Sequence, residues 1–147
     1  MSKVNAIYHI VINTKDRKPA IPMLHRKKLY AYIHAIIQNK GCRTLRINGI
    51  ENHVHILLDL HPSVALSTLI GEIKRSSTLW LRNQIEFPKF DYWGKEYFAA
   101  SVSHSDWQSV KEYICNQEEH HKGIAYEDEM KRWAETHDFE WNEHLLS

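Results

Sequence analysis

Cysteine is almost missing from this 147-residue chain: Cys42 and Cys115 are the only two, without a C-x-x-C spacing. They point to neither a disulfide framework nor a thiolate zinc site. No apolar run approaches the ~20 residues that a membrane-spanning helix needs. Met1-Ser2-Lys3-Val4 does not open a secretion signal, so the expected compartment is the cytoplasm. Repeats and low-complexity segments are absent too, and residues 1–147 read as one domain. A strong charge of one sign is also lacking. Nineteen Lys and Arg against 18 Asp and Glu leave a net charge of +1, too little by itself to announce a nucleic-acid partner.

What is present is an ordinary globular composition, 43% hydrophobic and 25% charged, with an unusual supply of rings. There are 11 His, together with 5 Trp, 7 Tyr and 4 Phe. Aromatic rings can stack on unpaired bases, each contributing ~1–3 kcal/mol where used. Filling a core is the commoner use. Positive charge gathers in Lys15 to Lys18, Arg26-Lys27-Lys28, Arg43 to Arg46 and Lys74-Arg75, while Glu118-Glu119 and Glu127 to Glu129 are acidic. One basic side is consistent with that distribution.

The stretch Asn52-His53-Val54-His55-Ile56-Leu57-Leu58-Asp59-Leu60 has the period of a strand. Val54, Ile56, Leu58 and Leu60 make an apolar face. His53 and His55 leave from the other, roughly 7 Å apart at their backbones. Two imidazoles at that spacing can share a metal ion. On spacing alone, two partly buried histidines with hydrogen-bonded partners are the commoner explanation.

Around this strand the chain reads strand–helix–strand–strand–helix–strand. The first strand, Asn5 to Thr14, is apolar on both faces and therefore central. A helix follows from Pro22 to Lys40, with Leu24, Leu29, Tyr32, Ile33, Ile36 and Ile37 at helical spacing and Gly41 as its stop. Residues 43–50 alternate, with Leu45 and Ile47 on one face and Thr44, Arg46 and Asn48 on the other, and they form a hairpin with the histidine strand. A second helix spans Val64 to Gln84, on Leu66, Leu69, Ile70, Ile73, Leu79 and Leu81. A loop with Phe90, Tyr92 and Trp93 leads to a fourth strand, Tyr97 to Val102. This order is that of an α+β, ferredoxin-like or split βαβ antiparallel sheet with helices on one face.

A last helix carries Tyr113 and Gln117, four residues apart and so on one face. Ser105-Asp106-Trp107-Gln108 fits a capping box at its start, with Ser105 as N-cap and Gln108 as its partner. Trp107, Val110 and Ile114 form its buried stripe, and Gly123 ends it. The tail, residues 124–147, carries Trp133, Phe139 and Trp141 and reads as a further short helix packed on the body.

Four blocks in order carry a resemblance over nearly the whole chain: Tyr8-His9-Ile10-Val11 with Thr14-Lys15 and Arg17-Lys18-Pro19; Asn52 to Leu58; Ile73-Lys74-Arg75-Ser76-Ser77; and Trp93 to Val102 followed by Tyr113-Ile114 and Gln117. The chain resembles the single-tyrosine HUH transposases of short insertion sequences and their REP-associated relatives. That resemblance implies a divalent metal, Mg²⁺ or Mn²⁺, on His53, His55 and Gln117. It implies Tyr113 as a nucleophile that forms a 5′-phosphotyrosine linkage with single-stranded DNA marked by hairpins. A homodimer is implied as well, with no nucleotide cofactor. Lys74, Arg75, Ser76, Arg17 and Lys18 are the phosphate-contact candidates. Tyr92 and Trp93 are better placed as core than as stacking platforms, and His120 and His121 as neighbours of the ligands or DNA-facing groups. Asn52 departs from the Asp found before the first histidine in many members, which removes a carboxylate but no ligand.

Two rivals stand beside this reading. A histidine-triad phosphohydrolase uses a His-x-His-x-His strand, and here the third position is Leu57. A domesticated hairpin-DNA-binding protein would have little mobility, yet every candidate catalytic group is retained.

Overall fold

The first strand, β1 (Ile7–Asn13), lies inside a four-stranded sheet with β3 (His53–Asp59) on one side and β4 (Phe98–Val102) on the other. That placement explains why it is apolar on both faces. β2 (Arg43–Ile50) completes the order β2-β3-β1-β4, and every pairing is antiparallel. The computed structural model describes residues 3–137. Phe139 and Trp141 of the tail lie outside the described residues.

Side-chain alternation divides the sheet into two functions. Ile10 and Ile12 of β1 and Val54, Ile56 and Leu58 of β3 face α1 (Arg26–Asn39) and α2 (Leu66–Arg82), forming the main core with Leu29, Ile33, Ile37, Leu69, Ile70 and Ile73. On the opposite face lie α3 (Trp107–Cys115), α4 (Gln117–His120) and α5 (Tyr126–Thr136). There the apolar packing is split. Ile7, Leu57 and Ile114 form one small cluster, while Val11, Phe98 and Ala100 meet Tyr126, Met130 and Trp133 in another. His9, His53 and His55 are buried on this second face.

Several local expectations are corrected. A register shift between Thr44 and Arg46 puts Leu45 with Ile7, Leu57 and Ile114, whereas Ile47 packs on the main core. One extra residue in a strand reverses the alternation beyond it, so these two do not share a face. Leu24 is exposed in a 3₁₀ turn, Met23–His25, ahead of α1, and Leu79 points outward from α2. Gly41 does end the first helix, with a φ of 77°. The capping box does not form: Asp106 holds the N-cap position of α3 without a side-chain cap, and Ser105 Oγ meets Ser103 Oγ instead. The tyrosine helix also breaks at Asn116, where α3 gives way to α4. Asn48 of β2 donates through Nδ2 to the carbonyls of Ile114 and Cys115 at 2.9 and 3.1 Å, satisfying acceptors that the helix end leaves open.

Gly49 is a point of close approach next to the histidine strand. A Cβ built there would lie 2.1 Å from the His53 carbonyl oxygen and 2.9 Å from Val54 Cα. Both are backbone atoms, so the strands themselves would have to part. Gly49→Ala is expected to lower the melting temperature by several degrees and to reduce activity through displacement of His53. An unchanged melting curve would show that β2 yields without cost.

Candidate metal centre and nucleophile

β3 delivers His53 and His55 on one face by its period of two, and both are buried almost completely, at 0% and 1% exposure. Their ring centroids are 5.0 Å apart. Each ring is held from behind through Nδ1. His53 Nδ1 lies 2.8 Å from Asn52 Oδ1, and His55 Nδ1 lies 2.8 Å from Nε2 of buried His9. Asn52 thus keeps the partnership that an aspartate would make with His53, without its charge. Both Nε2 atoms turn inward.

α3 brings Tyr113 to the same place, its ring 5.7 Å from that of His55 in the same chain. Gln117 follows across the Asn116 break, fully buried, with Oε1 3.2 Å from His53 Nε2. The fourth group is one that sequence reasoning missed. Glu129 of α5 is buried among them, its Oε1 3.4 Å from His53 Nε2 and 3.3 Å from His55 Nε2. Its Oε2 accepts the hydroxyl hydrogen bond of Tyr113 and lies 3.3 Å from Gln117 Nε2. His120 and His121 also reach that oxygen through Nε2, at 3.0 and 3.2 Å. Tyr126 stacks on His53 with centroids 3.8 Å apart.

Burial sets the protonation states. It lowers His53 to about 3, against a smaller raising effect of Glu129, so the ring is neutral at pH 7. Burial and the nearby His55 likewise hold His9 well below the usual histidine range. Burial opposes the charge of Glu129, yet hydrogen bonds from His121, His53 and His55 outweigh it and keep the carboxyl well below the carboxylate range. Tyr113 is pushed well above the usual phenol range by burial and then by the Glu129 charge.

The donors fit a divalent ion. With their protons on Nε2, His53 and His55 donate to Glu129; moving the protons to Nδ1, where Asn52 Oδ1 and His9 Nε2 accept them, turns bare Nε2 lone pairs toward the Glu129 oxygen. Three acceptors converging in that way are satisfied by a cation. Two ligands bound at ~2.1 Å and adjacent on one ion lie about 3.0–3.5 Å apart, and the separations from Glu129 Oε1 to the two Nε2 atoms fall in that range. Beside the centre is a cavity of about 340 Å³ whose walls include Tyr113, His120, Glu129 and Arg132. Leu57, the position a third strand histidine would take, is sealed against Ile7 and Ile114.

The other sequence candidates lie elsewhere. Arg17 pairs with Glu127 at 2.9 Å, tying the turn after β1 to the first turn of α5. Its φ of 57° is unusual for a residue with a side chain. Lys18 is exposed. On α2, Lys74 donates to the carbonyls of Gly94, Lys95 and Glu96, so its ammonium braces the loop before β4. Arg75 is exposed and pairs with Glu72, which also accepts from Ser76 Oγ. Trp93 is core and donates to Ser77 Oγ, whereas Tyr92 is half exposed under the Arg82 guanidinium, 4.0 Å from its ring centre.

Two residues of the centre had readable signals. His9 belongs to the first of the four blocks. Glu129 falls with Tyr126, Met130 and Trp133 on the buried stripe of α5, an acid at an apolar position within a run read only as charge.

A sheet that buries a histidine pair beside a tyrosine on a separate helix makes a candidate metal centre with a nucleophile next to it. The description of the IS200-like transposases matches residues 2–117, and the chain belongs to that family. Transposases for insertion sequence element IS200 from Salmonella typhimurium and Salmonella typhi are each 28% identical over 123 residues, covering 80% of this chain and 80% of theirs. Among solved structures, a REP-associated tyrosine transposase bound to a REP hairpin shares the fold with a TM-score of 0.65 at 14% identity, over 84% of this chain and 76% of that one. A Deinococcus radiodurans R1 protein assigned as a transposase gives 0.58 at 21% identity, over 80% and 95%. No helix among the described residues is long and apolar enough to cross a membrane.

Proposed function

We propose that this transposase cleaves and rejoins single-stranded DNA at hairpin-marked ends through a 5′-phosphotyrosine intermediate, as a metal-assisted homodimer. The observation that supports it best is the convergence of the Tyr113 hydroxyl and both histidine Nε2 atoms on one carboxylate. Tyr113 Oη attacks phosphorus. The P–O3′ bond breaks, a 3′-hydroxyl leaves, and the phosphotyrosine ester conserves the bond for a later 3′-hydroxyl to reverse the step. His53 and His55, with Gln117, would hold Mg²⁺ or Mn²⁺. Such an ion polarises the phosphodiester and offsets developing negative charge. His9 and Asn52 keep the two rings aimed by binding their rear nitrogens. One nucleophilic tyrosine per chain supports pairing of two protomers for a complete strand exchange.

The test is incubation of the protein with Mg²⁺ or Mn²⁺ and a labelled single strand carrying candidate hairpin ends. A protein–DNA adduct on the 5′ end of the downstream fragment is expected; free 5′-phosphate product without adduct would sink the reading. For DNA contacts, Lys18, Arg75 and Arg17 are the exposed candidates, the two arginines in surface pairs with Glu72 and Glu127, while Ser76 and Lys74 are less exposed and bonded to Glu72 and to the loop before β4. Arg75→Ala is expected to weaken hairpin binding at every sequence and to lower the slope of log affinity against log salt by about 1. An unchanged slope would remove Arg75 from the interface.

A further inference from the structure

Glu129 lies twelve residues beyond Gln117, past the segment that matches the family description. It is only 3% exposed. A buried carboxylate is costly unless its charge is matched, and the groups that reach Glu129 are imidazoles, the Tyr113 hydroxyl and the Gln117 carboxamide. The chain nevertheless holds it firmly. Tyr126, Met130 and Trp133 seat α5 on Val11, Phe98 and Ala100, and the Arg17–Glu127 pair fixes its first turn. His53, His55 and Glu129 each offer a ligand atom within 4.8 Å of the others, a set of two nitrogens and one anionic oxygen.

We propose that Glu129 is the anionic ligand of the metal centre through Oε1 and the group that orients the Tyr113 hydroxyl through Oε2. This rests on the reading of His53 and His55 as metal ligands. One carboxylate then links metal loading to the position of the nucleophile, and α5 is part of the active site. Gln117, donating through Nε2 to Glu129 Oε2 at 3.3 Å, steadies that carboxylate as well as facing His53. Imidazoles with a carboxylate suit Mn²⁺ better than Mg²⁺, which keeps its waters and prefers oxygen.

The experiment measures Mn²⁺ binding to the full chain without DNA, by calorimetry and by loss of the free-ion EPR signal. Wild type is expected to bind Mn²⁺ more tightly than Mg²⁺. Glu129→Gln should lose at least tenfold in Mn²⁺ affinity, since even residues that merely support ligands cost 10–100-fold. His53→Ala should lose as much, and Tyr113→Phe should bind like wild type. If Glu129→Gln binds within twofold of wild type while His53→Ala does not, Glu129 is no ligand and the histidine centre stands. If neither substitution matters, the metal reading falls and takes this proposal with it. Equal affinity for Mg²⁺ and Mn²⁺ would overturn the donor set. Thermal melts without metal check folding, and Glu129→Asp, which keeps the charge, provides a second variant with an expected smaller loss.

Discussion

Tyr113→Phe is expected to abolish covalent attachment to DNA and to leave hairpin binding and folding close to wild type. The substitution removes one oxygen and keeps the ring, which meets His55 and His9 edge-on at 5.7 and 6.2 Å between centroids. Glu129 Oε2 loses the tyrosine hydrogen bond but retains Gln117 Nε2 at 3.3 Å and His121 Nε2 at 3.2 Å. The stability cost is therefore about 1 kcal/mol or less. The chemistry has no such substitute. Removing a nucleophile typically costs at least ~10⁴-fold in rate. Denaturing gels of labelled strand with wild-type and variant protein read the result directly. An adduct that persists in Tyr113→Phe would assign the nucleophile to another residue.

His53→Ala and His55→Ala are each expected to abolish cleavage while preserving hairpin affinity. Both rings sit behind the strand that carries them, away from the exposed cations of α2, so the losses separate chemistry from binding. The rate loss is expected at about 10³-fold or more, the scale of removing one electrostatic contact to a developing anion. The two variants differ in their structural cost. His53→Ala empties the space that stacks on Tyr126 at 3.8 Å. His55→Ala leaves the buried His9 Nε2 without its 2.8 Å partner, at about 1–3 kcal/mol. Melting curves and filter binding therefore accompany the cleavage assay. Loss of hairpin binding together with cleavage in a folded variant would place the histidines in DNA recognition instead.

Much of this centre was readable because strands repeat every two residues. The spacing of His53 and His55 already placed them on one face opposite Val54, Ile56 and Leu58, and the two faces of β3 are divided in that way. The i, i+4 relation of Tyr113 and Gln117 also led to the right region, although the helix between them breaks at Asn116. Local spacing survives a break of one residue when both flanks pack on the same sheet. It did not survive the register shift near Leu45, because a shift of one residue turns the strand over. The capping box failed on similar grounds: the motif describes a local hydrogen-bond option, and Ser103 and Ser105 settled on another.

By itself, the amino-acid sequence determined the order of elements, the face on which the histidine pair stands and the family to which the chain belongs. These depend on periodicity and on short blocks, which are local properties of a chain. Only the tertiary structure decided that Glu129 joins His53, His55, Gln117 and Tyr113, that His9 and Asn52 hold the histidines from behind, and that Lys74 braces a loop. The reason is distance along the chain. His55 and Glu129 are separated by 74 residues, and no periodic pattern spans that interval. Their meeting depends on how α5 packs across the sheet, through Met130 and Trp133 against Val11 and Phe98.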